Sequence, residues 1–413
     1  MSDPRSRQVV IAGAGIAGLS AALAFAARGY PVKLFEQAKQ LEATGAGIQL
    51  SPNATRILRQ LGVLDRLSPH AVRPEAVVLK DAATLHELAR VPLGQTAESR
   101  WGAPYLVAHR ADLQAALMAQ VAERPGIELV TGARVSDVAT GPQGIAVTAL
   151  ADGKTVDAEG SLLVGADGVW SQVRERFPDH KAISGKSRFS GELAWRATVP
   201  ADSVAGRAFA AVGATNSVTT FLHPGFHLVA YPVSRGTAFN LAAFTKGERI
   251  AEAWSGLADP GLLTEAMRGT APALARLAEE AGPWMAWPIH TVDPKQPWTA
   301  PDGIALIGDA AHAMTPFAAQ GAAMAIEDAA TLADFMAAAP ADLAGSLQIW
   351  EGLRRSRVAK AARRGAVNRL AWHAAGPVAL ARNLFLKMRA PEKLAADLDW
   401  LYGWQAPEAG ERQ

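Results

Sequence analysis

The sequence predicts an α/β protein in which a parallel-sheet domain is interrupted by a mixed-sheet domain and followed by C-terminal helices. Three stretches of the 413 residues carry this reading. QVVIAGAGIAGLSAALAFAARGYPVKLFEQA, near the start, runs strand, glycine turn, helix, strand. Residues 186–245 change rhythm to short extended blocks separated by Gly and Pro. LIGDAAHAMTPFAAQGAAMAIEDAA, from Leu306 to Ala330, then repeats the buried strand, small-residue turn and helix start.

Bulk composition sets the frame. With 49% hydrophobic residues the chain has material for one large and one smaller core. Lys plus Arg number 41 against 39 Asp plus Glu, a net charge of +2 that gives no reason to expect nucleic acid or a membrane as partner. The absence of cysteine excludes disulfides, thiolate nucleophiles, Cys-ligated zinc and iron–sulfur clusters, and fits a reducing compartment. MSDPRSRQ passes directly into VVIAGAGIAG without the pattern of a secretory signal, so the expected location is cytoplasmic. Residues 9–27 are uncharged, but the glycine cluster divides them into a β-branched strand and an Ala-rich helix, so no stable membrane insertion is expected.

The elements follow in order. Strand 8–12, helix 16–28 and strand 31–35 form a βαβ unit, with Gly29 as C-cap and Tyr30-Pro31 restarting extended chain, which calls for a parallel sheet. Residues 53–67 read as helix, Gly break and helix, residues 77–93 as strand, and Gln95 to Arg100 as solvated chain. In RADLQAALMAQVAERPGIELVTG, Leu113, Leu117 and Val121 form a helical stripe that Pro125-Gly126 stops before a strand. Strands are expected at 127–130, 134–139, 144–150 and 161–165. The blocks FSGELAWRATVP, AAVGATNSVTTFLHP, FHLVAYPVSRG and AFNLAAFTKG predict a largely antiparallel sheet. Helices return over 248–282, a strand in GIALIGDAAH, and a helix after Gln320. The tail 346–389 is helical, and its Arg354, Arg355, Arg357, Lys360, Arg363 and Arg364 read as a basic solvated or domain-packing face. The resulting parse gives a first domain in three parts (1–75, 106–180, 286–345), a second domain in 76–105 and 181–285, and a helical segment 346–413.

Four places suit chemistry. In Gly13-Ala14-Gly15-Ile16-Ala17-Gly18, Gly13 permits a tight turn, Gly15 lets backbone N–H groups approach a pyrophosphate, and Gly18 lets helix pack on strand. Glu36, at the end of the next strand, is placed to accept ribose hydroxyl hydrogen bonds. Arg110 opens a helix and suits bidentate phosphate contact, or a surface pair with Asp112, with His109 before it as a cap. Asp167-Gly168, in GADGVWSQVRERF, suits a ribose contact or an Asp-Gly turn. Asp309 ends the late strand, and Gly321-Ala322-Ala323 starts a helix with almost no side-chain bulk, so its free N–H groups can approach a flat acceptor. The expectation is that one glycine-rich helix start serves a pyrophosphate and the other a redox ring; the alternatives are a tight turn with a structural acidic terminus for the first and a packed small-residue turn for the second.

Those residues, GAGIAG with Glu36, DG at 167–168 and GDAAH with QG at 320–321, resemble the single-component FAD-dependent aromatic hydroxylases, the class A flavoprotein monooxygenases. AQGAAMAIEDAA and DWLYGW at 399–404 make salicylate hydroxylase-like proteins the nearest match, over essentially the whole chain. The resemblance implies a Rossmann-like FAD-binding domain of the aromatic hydroxylase type and a mixed-sheet substrate domain. It implies that Gly13, Gly15, Ala17 and Gly18 accommodate the FAD diphosphate and Glu36 the adenosine ribose. Arg110 would contact FAD, Asp167 would support FAD and transient NADH or NADPH, and Asp309 the ribityl or diphosphate region. Gly321 and Ala322 would face the flavin pyrimidine edge, with Pro316 beside the isoalloxazine. Family members reduce FAD with NADH or NADPH, form a C4a-hydroperoxyflavin with O2 and transfer one oxygen atom to an activated aromatic ring.

Such an electrophilic transfer needs an electron-rich ring, so a base that removes a phenolic proton assists it, and His suits that task near neutral pH. His223 and His227 flank the turn HPGFH and are the candidate bases, with structural roles the alternative; His312 and His290 are further candidates near the site. Trp195, Arg196 and Tyr231 lie on strands that form a pocket floor, where Arg196 pairs either with an aromatic carboxylate or with a protein acid. Met314, Phe317 and Met324 line the ring site or the core. Gln49, in GAGIQLSPN, contacts flavin or ligand while Gly45 and Gly47 shape the loop. No His-rich signature calls for a metal. The expected activity is hydroxylation of a phenolic aromatic acid, salicylate-like compounds included. The alternatives are a heteroaromatic or polycyclic substrate, or a non-redox FAD-binding interaction protein; WRATVP lacks the WxWxIP pattern of many flavin-dependent halogenases.

Overall fold

The computed structural model describes residues 7–41, 46–141, 144–175, 186–213, 215–248, 256–257 and 259–406. VVIA, LLVG and IAL are wholly buried runs, the pattern of strands covered on both faces. They meet in a six-stranded sheet in the order Thr299–Ala300, Ile304–Leu306, Leu162–Gly165, Val9–Ala12, Val32–Glu36, Ile127–Thr131. All neighbours are parallel except Thr299–Ala300. The expected parallel sheet is present, and its strands come from three distant parts of the chain. The Ala-rich helix Ile16–Ala26 packs directly on the late helix Gly321–Ala338, so the two glycine-initiated helices are neighbours.

The middle of the chain builds an eight-stranded mixed sheet. Its order is Gly256–Leu257, Met285–Thr291, Arg188–Pro200, Ala238–Lys246, Phe226–Val233, Val218–Leu222, Ala76–Asp81, Glu87–Pro92. Only the pairing of Val218–Leu222 with Ala76–Asp81 is parallel. One face joins the core shared with the first sheet; the other, carrying Trp195, Phe226 and Leu228, packs under Val204–Val212 and Pro272–Glu280 as a second core.

Several expectations need correction. AAV in AAVGATNSVTTFLHP ends a helix, Val204–Val212, because the Ser203 hydroxyl caps it by accepting from the Gly206 amide at 3.0 Å. Gln95–Trp101 is a short helix whose Ala97 and Trp101 are buried, with the Trp101 indole donating to Asp399. KTVDAEG, Lys154–Gly160, is a further strand in a three-stranded antiparallel sheet. Over 248–282 the described helices are Pro260–Ala266 and Pro272–Glu280, with strand at Gly256–Leu257; residues 249–255 lie outside the described residues. In the tail, Arg354 and Arg357 are not solvated: both are buried in Leu343–Trp372, facing Glu327 of the late helix. Among the described residues no helix is long and apolar enough to cross a membrane.

Candidate active site

The first turn divides its glycines between packing and access. A Cβ on Gly13, at φ +99°, would lie 2.6 Å from the Ala166 carbonyl oxygen, and one on Gly18 only 1.8 Å from that of Gly13. Gly15, the N-cap of the first helix, has open space where its Cβ would be, and no side chain caps the helix N–H groups. An open, uncapped helix start suits a diphosphate. The Glu36 carboxylate accepts from the Ala14 amide at 2.7 Å and the Ala38 amide at 2.8 Å, fixing the turn, and each oxygen keeps a lone pair for a ribose hydroxyl.

The two later turns are tied to this one. Asp167 Oδ2 accepts from the Gln172 and Val173 amides at 2.7 and 3.1 Å, whereas its buried Oδ1 has no partner among the described residues. Burial pushes its carboxyl pKa up. A sealed, unpartnered acceptor is costly unless a donor arrives, and a cofactor hydroxyl fits that need. Buried Arg174 donates to the carbonyls of Val169 and Ala310 at 2.6 and 2.8 Å, bridging the DG and GDAAH turns. At Gly308, with φ +59°, an added Cβ would be strained and tightly packed, meeting Ala325 at 3.0 Å and Ala17 at 3.2 Å. Ala17 thus packs the first turn against the third, and Asp309 stands exposed beside it. Gly321 has open space on its Cβ side, as at Gly15, while the preceding Gln320 is buried and donates to Ser51 at 3.0 Å. The donors and small residues present fit an FAD laid from Gly15 toward Gly321.

Beneath Gly321 lies a charged cluster that sequence reading missed. Glu327 accepts from Asn53, Arg354 and Arg357, and Asp328 from Arg354, the Gly308 amide and His312. His312 is therefore buried against Asp328, at 2.6 Å, and belongs to this cluster. These partners hold the Asp328 carboxyl down at about 2 despite burial. Arg357 also donates to the Trp400 and Leu401 carbonyls, which ties DWLYGW to the core. Met324 lies in the core under Arg354. The signal available in the sequence was the Glu-Asp pair within the Ala-rich AIEDAA helix, which requires cationic partners once buried.

The mixed sheet gathers the substrate candidates by register. His227 pairs with Phe244, which pairs with Ala194; Val229 pairs with Ala242, which pairs with Arg196; Tyr231 pairs with Asn240. His227, Arg196 and Tyr231 therefore share one face. Trp195 points the other way: it is fully buried in the second core, its indole donating to Thr245 at 2.8 Å, so it is not on the face that carries Arg196. Arg196 lies over Trp287 at 5.0 Å with no acidic partner among the described residues, and burial, with Arg110 nearby, lowers its pKa. Gly47 brings the loop onto this face: its amide donates to Asn240 at 2.7 Å, and a Cβ there would sit 2.6 Å from the Tyr231 hydroxyl. Gln49 accepts from the Tyr105 hydroxyl at 2.7 Å. Gly45 is outside the described residues.

His227 is 1% exposed, stacked on Phe244 with centroids 4.6 Å apart and 5.0 Å from Phe317. Its Nδ1 lies 3.0 Å from Nε2 of His373, at the end of Leu343–Trp372. Burial pushes the His227 pKa well below its ordinary value, and burial with the charges of Arg369 and Lys246 takes His373 to about 4. No reading of the sequence singled out His373, since nothing local marks a helix-terminal His as a partner for a strand 146 residues away. Phe317 is buried here, and Met314 and Pro316 are partly buried just before it. His223, by contrast, accepts from the Gly225 amide of its own turn at 3.2 Å and packs on Phe226 of the second core. His290 stands beside the DG turn, between Trp170 and Phe189. Arg110 is exposed at the start of Arg110–Ala122, and His109 makes no side-chain cap bond. Ala322 is partly buried behind Gly321.

Comparison with known proteins shows the family. The FAD binding domain family matches residues 6–281 and 284–363. The chain is 33% identical over 411 residues to 3-hydroxybenzoate 6-hydroxylase of Polaromonas naphthalenivorans (strain CJ2), covering 98% of each. It is 34% identical over 414 residues to 3-amino-4-hydroxybenzoate 2-monooxygenase PtmB3 of Streptomyces platensis, covering 100% of this chain and 99% of the relative. A salicylate hydroxylase solved as a substrate complex shares the fold, with a TM-score of 0.80, 23% identity and coverage of 99% of this chain and 98% of that one. With the family model matched over most of the chain and relatives matched end to end, the chain belongs to the FAD binding domain family as a flavoprotein monooxygenase of the aromatic hydroxylase class.

Proposed function

We propose that this monooxygenase hydroxylates a small phenolic aromatic acid, with His227 as base at the ring hydroxyl and Arg196 as partner of the carboxylate. The observation that carries the reading is the shared sheet face: a buried neutral His and a cation without an acidic partner among the described residues point to the same side from the two strands that flank Ala238–Lys246. Relatives named for hydroxybenzoate and aminohydroxybenzoate substrates support it.

Gly13, Gly15, Ala17 and Gly18 would hold the FAD diphosphate, Glu36 the adenosine ribose, and Arg110, Asp167 and Asp309 the cofactor's polar chain, with Gly321 and Ala322 at its ring. Residues 1–75, 106–180 and 286–345 would form the FAD-binding domain, and 76–105 with 181–285 the substrate domain. The chemistry supplied by bound FAD is acceptance of hydride from NADH or NADPH and transfer of one oxygen atom of O2 to the ring. The chain's own residues prepare the substrate. His227, kept neutral by burial, takes the phenolic proton at Nε2, which raises ring electron density where an electrophilic oxygen must attack. Arg196 orients the ring through its carboxylate, and Phe244 and Phe317 keep water from the reacting face. Tyr231 fixes the pocket wall against Gly47.

The test is turnover by FAD-loaded protein with NADH or NADPH and a panel of 3-hydroxybenzoate, 3-amino-4-hydroxybenzoate and salicylate under isotopically labelled O2. The expected result is a product that gains one labelled oxygen atom. Flavin reduction without an oxygenated product from any aromatic acid would contradict the reading.

A further inference from the structure

His227 is enclosed by the rings of Phe244, Phe317 and Trp372, and its Nδ1 meets the imidazole of His373. Two ring nitrogens 3.0 Å apart share one proton, one donating and the other accepting. If His227 accepts a substrate proton at Nε2, its Nδ1 must carry hydrogen, and that hydrogen then points at Nε2 of His373. The two rings also differ in exposure. His227 is sealed at 1%, whereas His373 is only partly buried at the end of its helix.

We infer that His373 relays the substrate's phenolic proton from His227 to solvent. The inference rests on the reading of His227 as the base. The transfer balances: the substrate O–H breaks as N–H forms at Nε2 of His227; the Nδ1–H of His227 breaks as N–H forms at Nε2 of His373; and Nδ1 of His373 gives its proton to water. Both rings end neutral with their tautomers exchanged, and one negative charge remains on the substrate oxygen. The reverse path returns a proton to the product. Neither imidazole holds a full positive charge in the buried site, which is the cost that a lone buried base would bear.

The surroundings favour outward transfer. His373 is faced by Arg369, which is bound to Glu192 at 2.7 Å, by Lys246 and by His223, and His227 is faced by His373. The cations oppose a proton resting on His373, so one arriving there leaves for water, while their field favours the anionic substrate left behind.

The experiment uses FAD-loaded enzyme, oxidised and without NAD(P)H, mixed in a stopped-flow instrument with 3-hydroxybenzoate in weak buffer. A pH-indicator dye reads proton release, and ultraviolet absorbance reads phenolate formation. For His373→Ala we expect ligand affinity close to wild type, proton release slowed by ~10²-fold in line with the worth of a positioned acid–base group, and recovery on addition of imidazole. His373→Gln, which keeps a hydrogen bond but leaves no cavity, should be slowed without recovery. Wild-type release rates in His373→Ala, or slow release that imidazole fails to restore, would overturn the relay while leaving the hydroxylase reading intact. A wild-type enzyme that neither ionises nor hydroxylates any phenolic acid of the panel would instead overturn that reading and the relay with it.

Discussion

Gly18→Ala isolates the packing role of the first turn from its binding role. Its added Cβ would lie 1.8 Å from the Gly13 carbonyl oxygen and 3.0 Å from the carbonyl carbon. Both are backbone atoms, and Gly13 is held, because its amide donates to the Phe35 carbonyl at 2.7 Å and the Ala166 carbonyl closes the space on its Cβ side. Overpacking of this kind costs about 1–3 kcal/mol or more, against which the better helix propensity of Ala returns at most ~1 kcal/mol. The expected net loss is on the order of 2 kcal/mol, set by the backbone shift. Gly321→Ala is the matched control. No atom lies within 4 Å of its Cβ position, so the apoprotein should be as stable as wild type or more so, while FAD affinity falls because the methyl stands where the flavin must approach. Urea unfolding must be done on apoprotein, since bound FAD would add its own stabilisation; FAD affinity is read by flavin fluorescence. A Gly18→Ala apoprotein as stable as wild type, or a Gly321→Ala protein that binds FAD undiminished, would refute this division of labour.

Four further outcomes follow from the same geometry. Arg196→Met should raise KM for 3-hydroxybenzoate by roughly 10- to 10²-fold, the worth of a charge-assisted hydrogen bond, with kcat less affected; equal losses with phenols that lack a carboxylate would contradict the assignment. Trp195→Phe removes the bond to Thr245 and leaves a cavity in the second core, so it should cost about 2–4 kcal/mol of stability with KM unchanged, whereas a raised KM would put Trp195 in the pocket after all. Glu327→Gln leaves the buried Arg354 and Arg357 undercompensated and should cost about 3–5 kcal/mol in urea unfolding; a loss under 1 kcal/mol, about that of a surface pair, would show that the cluster is dispensable. For pH, His227 and His373 have folded pKa values below the ordinary 6.5, His373 at about 4, so unfolded chains take up protons below pH 6.5 that folded ones do not. Stability should therefore be level above that pH and fall beneath it, by at most ~1.4 kcal/mol per pH unit per histidine and less for the partly exposed His373. The carboxylate of Asp328 acts in a lower window, its contribution being lost from its ordinary 3.8 toward about 2. A His227→Asn, His373→Asn double variant with the wild-type slope above pH 4 would contradict the assignment.

Much of the fold was legible because its signals are local. VVIAGAGIAG carries strand, turn and helix in ten residues, and the alternation in FHLVAYPV separates His227 and Tyr231 from Phe226 and Leu228 without knowledge of partners. What escaped depends on tertiary context. The end of Val204–Val212 is not legible, because AAV fits either period and the Ser203 cap decides it only in three dimensions. The tail arginines are legible as charge but not as buried charge; only the helix carrying Glu327 and Asp328 turns Arg354 and Arg357 inward. Trp195 and Arg196 are adjacent in sequence and must lie on opposite faces, yet only the packing of the second core says which of them faces the pocket. The same holds for His223 and His227, four residues apart across a turn, where the bond to Gly225 keeps one with its turn and the register sends the other to the shared face.

The most direct measurement is a crystal structure of the flavin-loaded protein with bound 3-hydroxybenzoate. The expected structure has one FAD running from Gly15 to Gly321, the ligand hydroxyl within hydrogen-bond distance of His227 Nε2, and its carboxylate on Arg196. A flavin that leaves either glycine turn uncontacted, or an aromatic acid bound away from the face shared by His227 and Arg196, would contradict it.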